Sequence, residues 1–174
     1  MRVVVTGSEC TGKTTLAEAL AAHYDTLCVS EFAREFVAIT GDAPERADVE
    51  SIARGQIALE DEARDRGLRL TIQDTDLLST IVYSHHYYND CPEWIEAAFA
   101  QRTAELYLLA DIDIPWVPDG QQRDRGGRRE EMHELFERAL VGHGLTFVVV
   151  RGSLRERLAA AVSRIDSDLE ASPK

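Results

Sequence analysis

The residues in this 174-residue chain whose types and spacing could do chemistry begin at once, in Gly7-Ser8-Glu9-Cys10-Thr11-Gly12-Lys13-Thr14-Thr15. A G-x-x-x-x-G-K-T run that follows the β-branched Val3-Val4-Val5 and opens an alanine- and leucine-rich helix is a phosphate-binding P-loop. Gly7 and Gly12 let the backbone wrap closely, so that the N–H groups of Ser8, Cys10, Thr11 and their neighbours, with the helix N-terminus, face phosphate oxygens. Lys13 supplies a cation, Thr14 a Mg²⁺ ligand, and Thr15 completes the loop; Cys10 needs no chemical role there. The ligand implied is a nucleoside triphosphate, ATP with Mg²⁺.

Other chemistry falls at the ends of the apolar segments behind the loop. Asp74, after Leu70, Ile72 and Gln73, stands where a P-loop fold places the acid that holds Mg²⁺ directly or through water. Thr75 or Asp76 then caps the next helix. Glu31, just past a second strand, should face the same crevice, since ligands in open α/β sheets bind at the carboxyl ends of strands. A carboxylate there can accept the proton of an attacking hydroxyl. Arg34 either pairs with Glu31 at i, i+3 or binds a substrate hydroxyl or phosphate. Arg123, Arg125, Arg128 and Arg129 cluster in the Pro/Asp/Gly/Arg-rich stretch 111–129, which reads as a lid (about 119–129) able to bring positive charge over the transferred phosphoryl group. Tyr83, His85, His86, Tyr87, Tyr88 and Trp94 crowd the region after the third strand, where some could stack on a flat ring. Trp94 itself reads as core, and the His85-His86 pair has no cysteine or carboxylate at a zinc-site spacing.

The elements that must position these groups alternate short strands with amphipathic helices. That pattern predicts an α/β fold, a five-stranded parallel sheet with helices on both faces and an arginine-rich lid, as one domain over 1–174. Strands are expected at Val3–Val5, 26–30, 68–73, 106–110 and 146–150. Helices are expected at about Lys13 to His23, from Phe32 to near Gly41, from Pro44 through Val49, Ile52, Ala53 and Ile57, from Leu77, from Pro92, around Met132 to Leu140, and after a Ser153/Glu156 capping box. The charged Glu60-Asp61-Glu62 segment reads as a solvated helix end, and Asp166 to Lys174 as frayed.

Nineteen Lys and Arg against 31 Asp and Glu leave a formal net charge of −12, which disfavours nucleic acid and anionic lipid as partners. No apolar run approaches a membrane span. Three scattered cysteines, Cys10, Cys28 and Cys91, suit a reducing cytoplasm. With the P-loop beginning at Gly7, no targeting segment is expected ahead of it.

The combination G-S-E-C-T-G-K-T-T, S-E-F-A-R-E-F at 30–36, I-Q-D-T-D at 72–76 and I-P-W-V-P-D-G at 114–120 resembles the ribosylnicotinamide kinase domain of bacterial NadR-type proteins. The resemblance spans nearly the whole chain. It implies transfer of the ATP γ-phosphate to the ribose 5′-hydroxyl of nicotinamide riboside, giving the mononucleotide used in NAD biosynthesis. It further implies that Gly7 to Thr15 hold ATP and Asp74 is the Mg²⁺-associated acid. Glu31 or Asp76 would lie near the attacking hydroxyl, with Trp116 and Asp119 leading from the substrate side into the lid. The residues here include no counterpart of the DNA-binding and adenylyltransferase domains of bifunctional relatives, and 121–129 is richer in arginine than the resemblance implies, which leaves open another nucleoside or a vitamin-like alcohol. A GTPase-type N/T-K-x-D motif is missing after the fourth strand, where Leu109-Ala-Asp-Ile-Asp-Ile-Pro115 stands, so a switch ATPase is the weaker reading.

Overall fold

A computed structural model describes residues 1–115 and 128–171. The strands β1 (Arg2–Thr6), β2 (Cys28–Val29), β3 (Thr71–Asp74), β4 (Leu106–Ala110) and β5 (Phe147–Val150) form one parallel sheet in the order β2-β3-β1-β4-β5. Among the described residues seven α-helices connect and cover them: α1 (Lys13–His23), α2 (Phe32–Thr40), α3 (Val49–Asp65), α4 (Leu77–Tyr88), α5 (Glu93–Ala100), α6 (Arg129–Gly142) and α7 (Leu154–Ala171).

Strand alternation sorts the core into two layers. Val3 and Val5 of β1, with Leu106 and Leu108 of β4, pack under Leu16 and Leu20 of α1 and Ala161 and Ile165 of α7. Val4, Tyr107 and Leu109 face the other way, against Leu77, Leu78, Ile95, Phe99 and Phe136 of α4, α5 and α6. Most of these side chains are fully buried, and each contributes roughly 1.5–3 kcal/mol relative to exposure. A sheet buried on both faces explains why the strands read as continuous apolar runs.

Register places the functional ends side by side. β1 pairs with β3 so that Val5 lies opposite Asp74, and with β4 so that Thr6 lies opposite Leu109. Thr75 then donates its N–H to Val5 O at 3.0 Å. The carboxyl ends of β1 and β3 are therefore flush, and Gly7 leaves the sheet beside Asp74.

Several elements differ from expectation. β2 is only two residues long because it is an edge strand, paired with β3 alone. β3 starts at Thr71 and ends on Asp74 itself; Leu68 before it is exposed. Glu60 is no solvated end: it is buried and meets Arg102 Nε at 3.2 Å, a partner 42 residues away. Trp94 sits at the rim of the core, its ring under the Arg54 guanidinium at 4.5 Å and its Nε1 donating to Glu50. α7 continues to Ala171, tied down by Tyr24 Oη donating to Asp166 at 2.9 Å and Arg69 donating to Leu169 O. The Ser153/Glu156 capping box forms as read. Among the described residues no helix is long and apolar enough to cross a membrane.

Candidate active site

Gly7 is the pivot of the phosphate loop. It holds φ +130°, and a Cβ there would come within 3.0 Å of Ala110 O, so a side chain would meet both a strained backbone and the end of β4. Beyond it Thr11 Oγ1 and Lys13 Nζ both donate to Ser8 O, at 2.8 and 2.7 Å, which curls the loop around its own centre. Ser8 Oγ is buried without a hydrogen-bond partner. Gly12 precedes the first turn of α1, whose unpaired N–H groups, including that of Thr15, are donors for an anion. The Thr15 side chain is exposed, so its contribution is its backbone. Cys10 has φ +55° and lines the cleft beside the loop.

Asp74 and Thr14 converge as the sequence order implied: Thr14 Oγ1 donates to Asp74 Oδ2 at 2.6 Å. Asp74 Oδ1 is buried and accepts no hydrogen bond from the described residues. A carboxylate oxygen left bare in the interior, next to a hydroxyl and a phosphate loop, fits a hard divalent cation or its water. Thr14 and Asp74 are the residues that could hold Mg²⁺.

Glu31 lies at the start of α2 in the same cleft as Lys13, Cys10, Thr75 and Asp76. Burial pushes its carboxyl above the usual range and the Asp74 charge adds to this, while Lys13 and Arg34 pull it back. Arg34 Nη2 stands 3.6 Å from Glu31 Oε2 on the exposed side, so the ion-pair alternative for Arg34 is present in the structure. Two interactions seat Glu31: Gln56 of α3 accepts the Phe32 N–H at 2.9 Å, and the Phe32 ring lies over Gly55, where a Cβ would be only 2.2 Å away.

Asp76 is buried at the floor of the cleft, yet both its oxygens are taken. Oδ1 accepts the Leu78 N–H at 3.0 Å as the N-cap of α4, and Oδ2 accepts the Tyr107 hydroxyl at 2.8 Å. Burial and the Glu60 charge push its carboxyl up to about 7, against the pull of those two donors. This geometry makes it a cap and a support for the cleft floor, and leaves Glu31 as the carboxylate that opens towards Lys13.

The far wall of the cleft, which has a volume of about 260 Å³, is aromatic. Tyr83 and Tyr87 stack at 5.9 Å with an interplanar angle of 6°, and Ser79, whose buried Oγ has no hydrogen-bond partner among the described residues, lines the same cleft. Of the aromatic residues after the third strand, Tyr83, Tyr87 and Tyr88 line the cleft, while His85 pairs with Glu96.

Of the arginine cluster, Arg129 reaches the phosphate loop, donating to Cys10 O at 3.4 Å and to Ile114 O at 3.0 Å. Arg128 lies at the surface beside Glu131 and His86. Trp116, Asp119, Arg123 and Arg125 lie outside the described residues. Besides Ser79, a second residue of the site escaped the sequence reading. Arg157 of α7 is buried and supports the loop from beneath, with Nη1 on Thr11 O at 2.5 Å, Nη2 on Asp111 O and Nε on Gly152 O at 3.0 Å, and an ion pair to Asp113. Its signal is its register: it shares the i, i+4, i+8 stripe of Ala161 and Ile165 that faces the core.

A phosphate loop, a bare acid at the end of β3 and a second carboxylate across a ring-lined cleft define the class of P-loop phosphotransferases. The chain belongs to the AAA domain family, which residues 2–157 match. It is 29% identical over 154 residues, 85% of its length, to the trifunctional NAD biosynthesis/regulator protein NadR of Escherichia coli (strain K12). It spans 37% of that relative's length. A crystal structure of NadR protein in complex with NR superposes with a TM-score of 0.84 at 23% identity, covering 99% of this chain and 52% of the other. Thymidylate kinase from Ehrlichia chaffeensis superposes with a TM-score of 0.70 at 12% identity, covering 95% and 98%. The five-stranded parallel sheet is the fold these proteins share.

Proposed function

We propose that the protein is a small-molecule kinase that transfers the γ-phosphoryl group of ATP to the ribose 5′-hydroxyl of nicotinamide riboside, giving nicotinamide mononucleotide. The observation that carries this reading is that Glu31, Lys13 and the stacked Tyr83–Tyr87 pair line one cleft, with Asp74 close enough for its charge to act on Glu31. Lys13 suits a phosphate, the tyrosines suit a flat ring, and a carboxylate lines the same space. The NadR relative and the sequence resemblance support the identity of the acceptor.

In this reading the donor phosphates replace Ser8 O as the partner of Lys13 and take the N–H groups of residues 8–15. Thr14 and Asp74 would hold Mg²⁺, which would supply neutralisation of the phosphate charge. Glu31 accepts the 5′-hydroxyl proton as that oxygen forms its bond to the γ-phosphorus and the bond to the β-bridging oxygen breaks, releasing ADP. A carboxyl held above its usual pKa is a stronger base once ionised, which suits this task. Arg129 is assigned to the charge of the transferred group, and Arg123 to the same task on sequence grounds. Trp116 and Asp119 are assigned to the acceptor side on the resemblance alone.

The test is mass spectrometry of the products formed from ATP and Mg²⁺ with nicotinamide riboside, common nucleosides and deoxynucleosides offered separately. Nicotinamide mononucleotide as the main product supports the assignment. A phosphorylated nucleoside in its place would keep the kinase and reject the acceptor.

A further inference from the structure

Sequence spacing offers no zinc site near His85, but the corner between α4 and α5 creates one. Asn89, at φ +52°, ends α4 and turns the chain so that Cys91 falls beneath the last turn of α4 and Glu96 comes up one turn into α5. The donor atoms of His85, Cys91 and Glu96 all lie within 4.8 Å of one another, with His85 Nε2 and Glu96 Oε1 at 2.8 Å.

We propose that His85, Cys91 and Glu96 form a binding site for a zinc-like divalent metal ion, separate from the nucleotide site and serving to staple α4 to α5. The donor set carries the choice of metal. A thiolate with an imidazole suits zinc and other borderline ions, whereas Mg²⁺ takes oxygen ligands. Bond lengths of about 2.0–2.3 Å around a tetrahedral ion put neighbouring ligand atoms roughly 3.3–3.8 Å apart, so the wider edges of the triangle must contract while the 2.8 Å His85–Glu96 edge must open. The mobility for it lies in the right place: the side chains of His85 and Glu96 are 51% and 46% exposed and can swing, while Cys91 is 8% exposed and anchored in the core. Three protein ligands leave a fourth position for water.

Asp90, next to Cys91 in the chain, is engaged by the Arg46 guanidinium. Binding replaces the His85–Glu96 hydrogen bond with two metal bonds and converts the Cys91 thiol to thiolate, releasing its proton to solvent. Since α4 also carries Ser79, Tyr83 and Tyr87 on its cleft side, a metal at its far end would fix the helix that forms the ring-binding wall.

The test is Co²⁺ titration of the metal-stripped full-length chain, followed by displacement with Zn²⁺. A near-ultraviolet thiolate-to-cobalt charge-transfer band saturating at one ion per chain, and bleached by Zn²⁺, is expected. Cys91→Ser should abolish the band, His85→Gln and Glu96→Gln should each weaken binding at least tenfold, and Asp74→Asn should leave the band unchanged. No band, or a band that persists in Cys91→Ser, overturns the proposal. Should Cys91→Ser fail to fold, unchanged affinity in the two surface variants would overturn it equally.

Discussion

At the scale of single residues, three acids that stand within a few positions of strand ends, Glu31, Asp74 and Asp76, have different tasks under the proposed function. With Glu31 as the proposed proton acceptor, Glu31→Gln should lower kcat by roughly 10²–10⁴-fold, the usual worth of a general base, with little change in KM for ATP. The rate of the native enzyme should rise with pH through the raised pKa of Glu31, and that acid limb should vanish in the variant. Asp74 leaves Oδ1 bare beside Thr14. Asp74→Asn preserves the shape and the Thr14 hydrogen bond but removes the charge, so the Mg²⁺ concentration for half-maximal rate should increase by at least about tenfold, with the melting temperature little changed. The P-loop, Asp74 and Glu31 were legible in the sequence because each follows directly from strand order: motif, end of β3, end of β2. Ser79 and Arg157 were not, since their roles depend on which way α4 and α7 turn when packed.

At the scale of elements, the positioning of Glu31 rests on how closely α2 approaches α3. Phe32 lies on the bare backbone of Gly55, where a Cβ would stand 2.2 Å from the ring. Gly55→Ala adds a methyl that drives Phe32 away, and with it the first turn of α2. The gain of about 0.5–1 kcal/mol in helix propensity offsets part of the packing loss. Turnover should therefore fall several-fold while the melting temperature stays near its native value; steady-state kinetics set beside thermal melts checks this, and undiminished kcat would show that α2 is not held by that contact. Element boundaries read from the sequence held where local pattern governs, as in Lys13–His23 and Leu106–Ala110. They failed where a distant partner decides: Glu60 is drawn inside by Arg102, and the end of α7 is held by Tyr24 and Arg69.

At the scale of the whole molecule, a charged network runs beneath the cleft, from Asp76 and Tyr107 at its floor to Glu60 and Arg102 at the rear. Asp76 titrates near 7 in the folded chain but near its ordinary value when unfolded. Between those limits the folded state binds more protons, so the contribution of Asp76 to stability is greatest at low pH and is lost as pH rises through about 7. Asp76→Asn keeps the size and stays neutral throughout. Relative to the native chain it should gain melting temperature as pH is raised from 4 to 8, and a constant difference across that range would refute the assignment. The sheet order that sets Glu31 and the phosphate loop around one cleft, with Asp74 at the adjoining strand end, is the molecule-wide feature on which the proposed activity rests. Its most direct test is the initial rate of ADP release at fixed ATP and Mg²⁺ as nicotinamide riboside is increased from zero. A rate that is negligible without the acceptor and saturates with it is expected, whereas steady ADP release that ignores the acceptor would contradict the kinase and mark the cleft as a hydrolytic site.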